Sequence, residues 1–396
     1  HSRLHLQVLQ QLLRAPQREH QPFLVRTASD LLKGERTVRE ALRNWQWLMV
    51  LSLLGCVPPV VAPPEDAGMT TIDAGVPDSG VVTLVPVWTA GTDMPVATGL
   101  WGTVLSFDPT GRRFIMHGGN TYPAGGVISD TWSFSVATKQ WTKLTTTGDA
   151  PPVRYCHFAV YLPNQKQVLI AGGRDSAGLV DTAYTLDLTT LAWSQVTGTV
   201  PAGAIGCNAH WMPNQSRAIV FGGDGRTGVN DKTWAYDPVA RTFTELMPAV
   251  RPYARRDGMS IYEPVQGRMF IFGGAVAITQ QYLDDVAVFD GTNWLDAAAP
   301  TPHPQRRRYG ATGYDAIHAR WLLFSGTNDV DDFDDLWVID PATFEFVEVQ
   351  ATGPVKRGFS ASGIDEVTGT LYVFGGLTTP GFGALADGWT LSLTEN

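Results

Sequence analysis

The sequence has little charge and lacks the motifs by which many nucleotide-binding and hydrolytic enzymes are recognised. Only 17% of its 396 residues are Asp, Glu, Lys or Arg, and the formal net charge is −9. An acidic protein repels phosphate backbones, and no basic stretch with interleaved aromatic residues is present, which argues against nonspecific nucleic-acid binding. There is no Walker phosphate loop, dinucleotide-binding glycine motif or Ser/His/Asp arrangement. The 41 glycines and 44% apolar content instead fit a turn-rich all-β domain.

The apolar run at residues 45–56 is too short for a comfortable transmembrane helix. It follows Arg39 and Arg43 and ends in Leu-Leu-Gly-Cys. This arrangement resembles a bacterial lipoprotein signal peptide with its lipobox, which implies lipidation of Cys56. A buried apolar helix is the alternative interpretation of the same residues.

The composition divides the chain into four parts. Residues 57–82 are rich in Pro, Gly, Ala and Asp and poor in aromatic residues, which predicts a disordered tether. Residues 83–396 contain the strand patterns of a folded domain. Residues 1–44, which begin with His1 rather than Met, form an unassigned N-terminal extension. The expected order is therefore extension, signal peptide at 45–56, tether and globular domain.

A Gly-Gly doublet recurs along this domain at nearly constant intervals. Five complete doublets are present, and Ser325-Gly326 is a degenerate sixth copy. Successive copies are separated by about 50 residues, which matches the length of a four-stranded propeller blade. The first residues of the six copies are Gly118, Gly172, Gly222, Gly273, Ser325 and Gly375.

Each copy has the same order of apolar, acidic and aromatic residues. A short β-branched and aromatic run precedes the doublet, and an acidic residue followed by another strand comes about ten residues later. A further strand then opens on a large ring, as at Trp141, Trp193 and Trp294, which we expect to pack between blades. This combination resembles the Kelch repeat over roughly residues 85–393. The resemblance implies an all-β fold, a six-bladed β-propeller of Kelch repeats.

The last copy is incomplete and predicts how the ring closes. After Trp389 the sequence contains no further tryptophan strand, whereas an additional strand around Trp88 precedes the first copy. We therefore expect the N-terminal strand to complete the last blade. Such closure removes the exposed strand edges that an open sheet would present.

Cysteine is scarce, with three residues in the whole chain. Cys156 and Cys207 precede the doublets of two adjacent repeats by almost the same interval, so they occupy nearly equivalent places. In an exported protein this even pair would allow a disulfide between two blades. Two small buried thiols are the alternative.

Four of the six repeats have an arginine at one fixed interval before the doublet, namely Arg154, Arg255, Arg307 and Arg357. Equivalent positions of a closed ring converge on one face, so these four are the candidate ligand-binding residues, and neighbouring arginines at 256, 306 and 308 add positive charge. A guanidinium binds carboxylates and phosphates well. The resemblance to Kelch adaptor proteins, in which arginines at the propeller mouth bind acidic peptide motifs, implies a similar use. The alternative is that each repeat-encoded arginine pairs with an aspartate of its own blade.

The sequence predicts neither a metal site nor a cofactor, and it assigns no catalytic residue. Tyr155-Cys156-His157 has the residue types of the copper site in galactose oxidase, a Kelch-type enzyme. Consecutive strand residues point to opposite faces, however, and cannot all chelate one ion. The Asp-rich run at residues 329–335 lacks the ordered ligand loop of an EF-hand, which favours a solvated loop over a calcium site.

These patterns together predict a non-enzymatic binding scaffold on the bacterial cell envelope, attached to the membrane only through its lipid. It would recognise a protein, an acidic peptide or a glycan at one face of the propeller. The alternative is a carbohydrate-active enzyme at the channel mouth, similar to the six-bladed Kelch sialic-acid mutarotases and less closely to galactose oxidase. A histidine–acid pair or two carboxylates in the channel would favour the enzyme.

Overall fold

The computed structural model describes residues 84–121, 125–201, 205–276, 281–378 and 383–395, and the regular elements in these ranges are all β-strands. Six sheets of at least four strands form blades 1 to 6. Blade 1 comprises Val104–Asp108, Arg113–His117, Thr131–Ser135 and Gln140–Lys143. Blade 2 comprises Phe158–Leu162, Gln167–Ala171, Ala183–Asp187 and Ala192–Val196. Blade 3 comprises Asn208–Met212, Arg217–Phe221, Thr233–Asp237 and Thr242–Leu246. Blade 4 comprises Met259–Glu263, Arg268–Phe272, Asp285–Phe289 and Trp294–Ala298. Blade 5 comprises Ala311–Asp315, Arg320–Phe324, Leu336–Asp340 and Glu345–Val349. Blade 6 comprises Ala361–Asp365, Thr370–Thr378, Gly383–Glu395 and Leu84–Ala90. Two-residue strands lie at Thr147–Gly148, Asp224–Gly225 and Gly228–Val229.

The six blades close into a ring. The first strand of each blade is innermost and contacts the first strands of both neighbouring blades, and blade 6 contacts blade 1 in the same way. Leu84–Ala90 is the outermost strand of blade 6 and pairs antiparallel with Gly383–Glu395. Pro86 lacks an N–H, which an outermost strand tolerates because its free edge needs no donor. The predicted six-bladed propeller, with its last blade completed by the N-terminal strand, is confirmed.

The hydrophobic core is divided among the six interfaces between blades. Each of six buried clusters combines side chains of two adjacent blades. Trp193 of blade 2 contacts His117 of blade 1, with ring centroids 5.1 Å apart, and Trp294 of blade 4 contacts Phe221 of blade 3 at 4.4 Å. Burying a large apolar side chain contributes about 1.5–3 kcal/mol. The large rings that open the outer strands therefore hold neighbouring blades together.

The two faces of the ring carry different connections. Tight hairpins join the first strand to the second in all six blades and the third to the fourth in blades 1 to 5. They all lie at one face, called the hairpin face below. Asp315 caps one of them, because its Oδ1 accepts hydrogen bonds from the N–H groups of Ile317 and His318 at 2.9 and 3.3 Å. Equivalent caps are formed by Asp108, Asp187, Asp237, Asp290, Asp340 and Asp365. The longer connections lie at the opposite face, called the loop face.

The Gly-Gly doublets stand at the loop-face ends of the second strands and join each blade to the next. Gly273 and Gly274 have φ angles of 66° and 102°, a region that favours glycine. A Cβ on Gly273 would lie 2.7 Å from the carbonyl oxygen of Arg307 in the following blade. The N–H of Gly274 donates to that same oxygen at 2.9 Å. The repeat therefore needs glycine because two blades approach each other here backbone to backbone.

Candidate functional site

The four candidate arginines lie at the loop face and are completely buried. Arg154, Arg255, Arg307 and Arg357 are each 0% exposed. In every case Nη1 donates to the carbonyl oxygen of the first doublet residue of the same blade, at 3.0 to 3.2 Å. The arginine side chains thus fasten the start of each of these four blades to the end of its second strand.

Three of these guanidinium groups form bidentate ion pairs with an aspartate of the same blade. Arg255 donates to both carboxylate oxygens of Asp285 at 2.8 and 2.7 Å, and Arg357 binds Asp387 at 2.7 and 2.8 Å. Arg307 binds both oxygens of Asp335 in the same manner. Burial alone would raise the pKa of Asp387, but the hydrogen bond and charge of Arg357 hold that pKa below its ordinary value.

Arg154 has no such aspartate and donates instead to the carbonyl and hydroxyl oxygens of Thr182, both at 3.0 Å. Burial lowers the pKa of Arg154 to about 10. Four arginines that are buried and already hydrogen-bonded offer no free guanidinium to an anionic ligand. The geometry therefore favours the structural alternative, in which repeat-encoded arginines pair within their own blades, over a ligand-binding rim at these positions.

The two cysteines of the propeller are free thiols rather than a disulfide. The Cys207 thiol donates to the carbonyl oxygen of Gly222 at 3.1 Å, and the Cys156 sulfur lies 4.0 Å from the Tyr309 hydroxyl. Burial raises the pKa of the Cys156 thiol to about 12 and that of Cys207 further still. Of the two alternatives left open by the sequence, the structure has the pair of small thiols and not the disulfide. Cys56, the predicted lipidation site, lies outside the described residues, as do residues 1–82 as a whole.

A ring of six backbone hydrogen bonds surrounds the propeller axis at the loop face. Its members, called the axial ring, are the second residues after the arginine position of each repeat: Gly102, Cys156, Gly206, Asp257, Tyr309 and Phe359. Each N–H donates to the carbonyl oxygen of the member in the neighbouring blade, at 2.6 to 3.2 Å, and the last bond closes the circle. All six have φ between 54° and 65°. The six residues differ in type, so no sequence pattern indicated this ring. They stand at nearly constant intervals before the doublets, and the doublet spacing could have located them.

Charged and aromatic side chains cover the axial ring. Arg308 pairs with the buried Asp257 at 3.1 Å and with both carboxylate oxygens of Asp329 at 2.7 Å. Arg256 lies 3.5 Å from Asp257. Burial raises the pKa of Asp257, against the lowering effect of the two arginines. These arginines were expected to add positive charge to a binding rim, but the structure pairs them with aspartates.

A groove lies further out on the loop face, between blades 4 and 5, and has a volume of about 550 Å³. It is called the blade 4–5 groove. Tyr253 and Val330 stand at its edges with 66% and 72% of their surface exposed. Arg306 and Asp284 pair at 2.8 Å on the same rim. Its apolar wall is completed by Val276, Tyr282 and Leu283.

The central channel encloses a second cavity of about 670 Å³, which begins directly beyond the axial ring and reaches the hairpin face. Among its lining residues Glu366 is the single carboxylate. The described lining residues thus include no pair of carboxylates, and none of them is an acidic partner for His157 or His210.

Metal ligands do not converge within the described part of the chain. No group of three or more His, Cys, Asp or Glu side chains there is arranged to hold a metal ion. In the Asp-rich run, Asp329 and Asp335 are occupied by Arg308 and Arg307. None of the described residues forms a helix with the length and hydrophobicity that crossing a bilayer requires.

The comparisons with known proteins agree with this architecture. A family model described as the KLHDC2/KLHL20/DRC7 Kelch-repeats domain matches residues 104–308, just over half of the chain. Acyl-CoA-binding domain-containing proteins 4 and 5 of Arabidopsis thaliana are 28% and 29% identical to this chain over 239 residues. Each match covers 56% of this chain but only 34% and 35% of the plant proteins, so the chain spans about a third of their length.

Proposed function

The chain belongs to the Kelch-repeat family, and from this premise we propose that it is a non-enzymatic scaffold whose loop face binds a protein partner. Kelch propellers are in general protein-interaction scaffolds. The observation that carries the proposal for this chain is the blade 4–5 groove, which combines exposed apolar side chains with a charged rim. That composition is typical of interface cores, where aromatic residues and arginine are enriched.

Other exposed apolar side chains lie in the connections between neighbouring blades. Met247 and Val250 lie in the connection between blades 3 and 4 and are 71% and 48% exposed. Val355, in the connection between blades 5 and 6, is 60% exposed. Isolated exposed apolar residues are normal on a protein surface, so the contact surface is inferred from Tyr253 and Val330, which line the same groove. A partner would gain most by burying the exposed side chains of Tyr253 and Val330.

An acidic peptide is the form of partner that the rim charges favour. Arg306 is the exposed member of its pair, with 67% of its side chain accessible, whereas Asp284 is 35% accessible. Asp284 accepts only from Nε of Arg306, so an incoming carboxylate would bind the Nη groups of the same guanidinium while Asp284 keeps its partner. This differs from the expectation drawn from the sequence, because the arginine involved is not one of the four in the repeat register.

The test is photo-crosslinking in the natural host, using the full chain with Tyr253→Ala and Val330→Ser combined. Because both side chains are exposed, the double variant should change the free energy of unfolding by less than about 1 kcal/mol. We expect one or more proteins to crosslink to the wild-type chain and to be lost from this variant. The matched control is Val239→Ser with Val265→Ser on the hairpin face, where both side chains are about as exposed, at 84% and 79%. An identical set of crosslinked proteins for both variants would contradict the proposal.

We also propose that the propeller is held at the bacterial cell envelope by a lipid on Cys56. The supporting features are the apolar run at residues 45–56, its Leu-Leu-Gly-Cys end and the Pro/Gly/Asp-rich residues 57–82 that follow. Metabolic labelling with a palmitate analogue should mark the wild-type protein and place it in the membrane fraction. Cys56→Ser should remove both label and membrane association, whereas Cys207→Ser should remove neither. Labelling that survives Cys56→Ser would contradict the anchor.

A further inference from the structure

Six turns, one in each blade, surround the axis of the ring at the hairpin face. They are called the inner hairpins, and each joins the first strand of a blade to its second strand. Neighbouring inner hairpins stand close together. A Cβ on Gly267 of blade 4 would lie 2.9 Å from Nδ2 of Asn214 in blade 3, and Arg112 of blade 1 donates to the carboxylate of Asp365 in blade 6. The inner hairpins therefore form one surface around the axis.

Half of this surface is apolar. The second residue after the first strand stands at the tip of each inner hairpin, and in blades 4, 5 and 6 it is Val265, Ile317 and Val367. These three side chains, called the apolar tips, are 79%, 59% and 54% exposed. The acidic residues that end the same three first strands are at most 2% exposed and accept hydrogen bonds from their own turns. Glu366 is therefore the exposed charged side chain of these three turns.

The other half of the surface is polar and basic. In blades 1, 2 and 3 the residue at the tip is Thr or Asn, and a basic residue follows two or three positions later, namely Arg112, Lys166 and Arg217. The side chains of Arg112 and Arg217 are 43% and 47% exposed although each pairs with an aspartate, and Lys166 is exposed. An apolar region beside a basic one is typical of surfaces that lie on an anionic bilayer.

The chain that leads to the proposed lipid joins the propeller at this same face. Leu84 begins the strand that completes blade 6, and it pairs with Glu395 at the end of the third strand. Third strands end at the hairpin face, so the outermost strand of blade 6 starts there. Cys56 precedes Leu84 by 28 positions, and a flexible chain of that length has an r.m.s. end-to-end distance of about 30 Å. An anchor on Cys56 would thus attach the propeller to the bilayer from its hairpin face.

We propose that the apolar tips insert into the surface of the anionic bilayer that carries the anchor, an inference that rests on the lipid proposed for Cys56. Three aliphatic side chains bind a bilayer weakly by themselves, because such binding scales with the buried apolar area. A short tether raises the effective concentration of the hairpin face at the bilayer to about the millimolar range, so that a weak contact suffices. The basic half would then lie against anionic headgroups, which attract each Lys and Arg.

A bilayer fits the apolar tips better than a second copy of this chain does. Three aliphatic side chains supply far less than the roughly 800 Å² per partner that a stable protein interface buries. The tips are also exposed turns, which can enter a headgroup layer without a complementary pocket. Insertion of the hairpin face would leave the loop face, with its blade 4–5 groove, directed away from the bilayer and accessible to a protein partner.

The experiment is fluorescence quenching of the full, lipidated chain on vesicles of phosphatidylethanolamine and phosphatidylglycerol. A fluorophore is attached at Val265→Cys, and burial raises the thiol pKa of Cys156 and Cys207, so both react slowly. Nitroxide-labelled lipids should quench this fluorophore at least about threefold more strongly than one at Val355→Cys, the loop-face control with 60% exposure. Adding Ile317→Ser and Val367→Ser should reduce lipid quenching at position 265 by about half or more, and both positions are exposed enough to leave the fold intact.

Equal lipid quenching at positions 265 and 355 would overturn the proposal. So would a label at position 265 that is shielded from iodide but not quenched by the nitroxide lipids, because a second copy or another protein would then cover the tip. Failure of the anchor is a separate result, in which the chain carries no acyl group and does not float with the vesicles. The Cys56→Ser chain with an N-terminal histidine tag is then held on nickel-chelating vesicles, where stronger lipid quenching at position 265 supports the contact and equal quenching overturns it.

Discussion

At the scale of single residues, the position of a side chain in the repeat was easier to predict than its environment. The doublet spacing predicted that Arg255 and Arg307 occupy equivalent positions in their two blades, and in the structure they do. Whether such an arginine faces solvent depends on partners such as Asp285 and Asp335, which come 30 and 28 residues later in the sequence. Those contacts are nonlocal, so a pattern read along the chain could not choose between a binding rim and a structural clamp.

Loss of one structural arginine should therefore destabilise the fold rather than a binding site. Arg255→Ala leaves Asp285 without its buried partner, and breaking a buried ion pair costs about 3–5 kcal/mol. Chemical denaturation of the full chain should show a loss of this size in the free energy of unfolding. Arg306→Ala is the control, because its exposed pair should change stability by less than about 1 kcal/mol. Equal stability of the two variants would show that Arg255 is not a clamp.

At the scale of strands, the closure of the ring was predictable because the last repeat lacks one strand and an extra strand precedes the first repeat. The sixth repeat lacks a tryptophan strand, and the strand containing Trp88 supplies it, as the pairing with Gly383–Glu395 shows. The axial ring was not predicted, since its bonds use only backbone atoms and therefore impose no residue type.

The closing strand should contribute to stability mainly through Trp88. Its ring packs against Phe324 of blade 5 with centroids 4.7 Å apart, and its neighbour Val87 on the other side of the strand is 41% exposed. Trp88→Ala should lower the free energy of unfolding by about 2–3 kcal/mol. Val87→Ala should lower it by less than about 1 kcal/mol. Urea denaturation followed by fluorescence or circular dichroism measures both, and a larger loss for Val87→Ala would argue against the closure.

At the scale of the whole molecule, three buried histidines make stability depend on pH. Burial lowers the pKa of His117 to about 3, that of His210 to about 4 and that of His157 well below its ordinary value of 6.5. The rings therefore stay neutral in the folded state while the unfolded chain takes up protons below pH 6.5. Stability is complete above that pH and falls as the pH drops towards the folded-state pKa values. Three such groups give a slope of about 4 kcal/mol per pH unit.

Between about pH 6 and pH 4.5, a plot of the free energy of unfolding against pH should approach this slope, because the unfolded chain becomes protonated over that range. His117→Asn should remove about a third of it, because one of the three buried rings is gone. Val239→Ser, at an exposed position on the hairpin face, should leave the slope unchanged because it removes no titratable group. A pH-independent stability across this range would contradict the assignment of neutral, buried histidines.

The central claim is that the loop face, rather than the hairpin face, receives a protein partner. Amide hydrogen exchange of the full chain, with and without the partner identified by crosslinking, tests it most directly because it reports on both faces at once. The account predicts slower exchange on binding in residues 247–253 and 328–333, with the hairpin turns at 238–241 and 264–267 unchanged. Protection confined to the hairpin turns would contradict it.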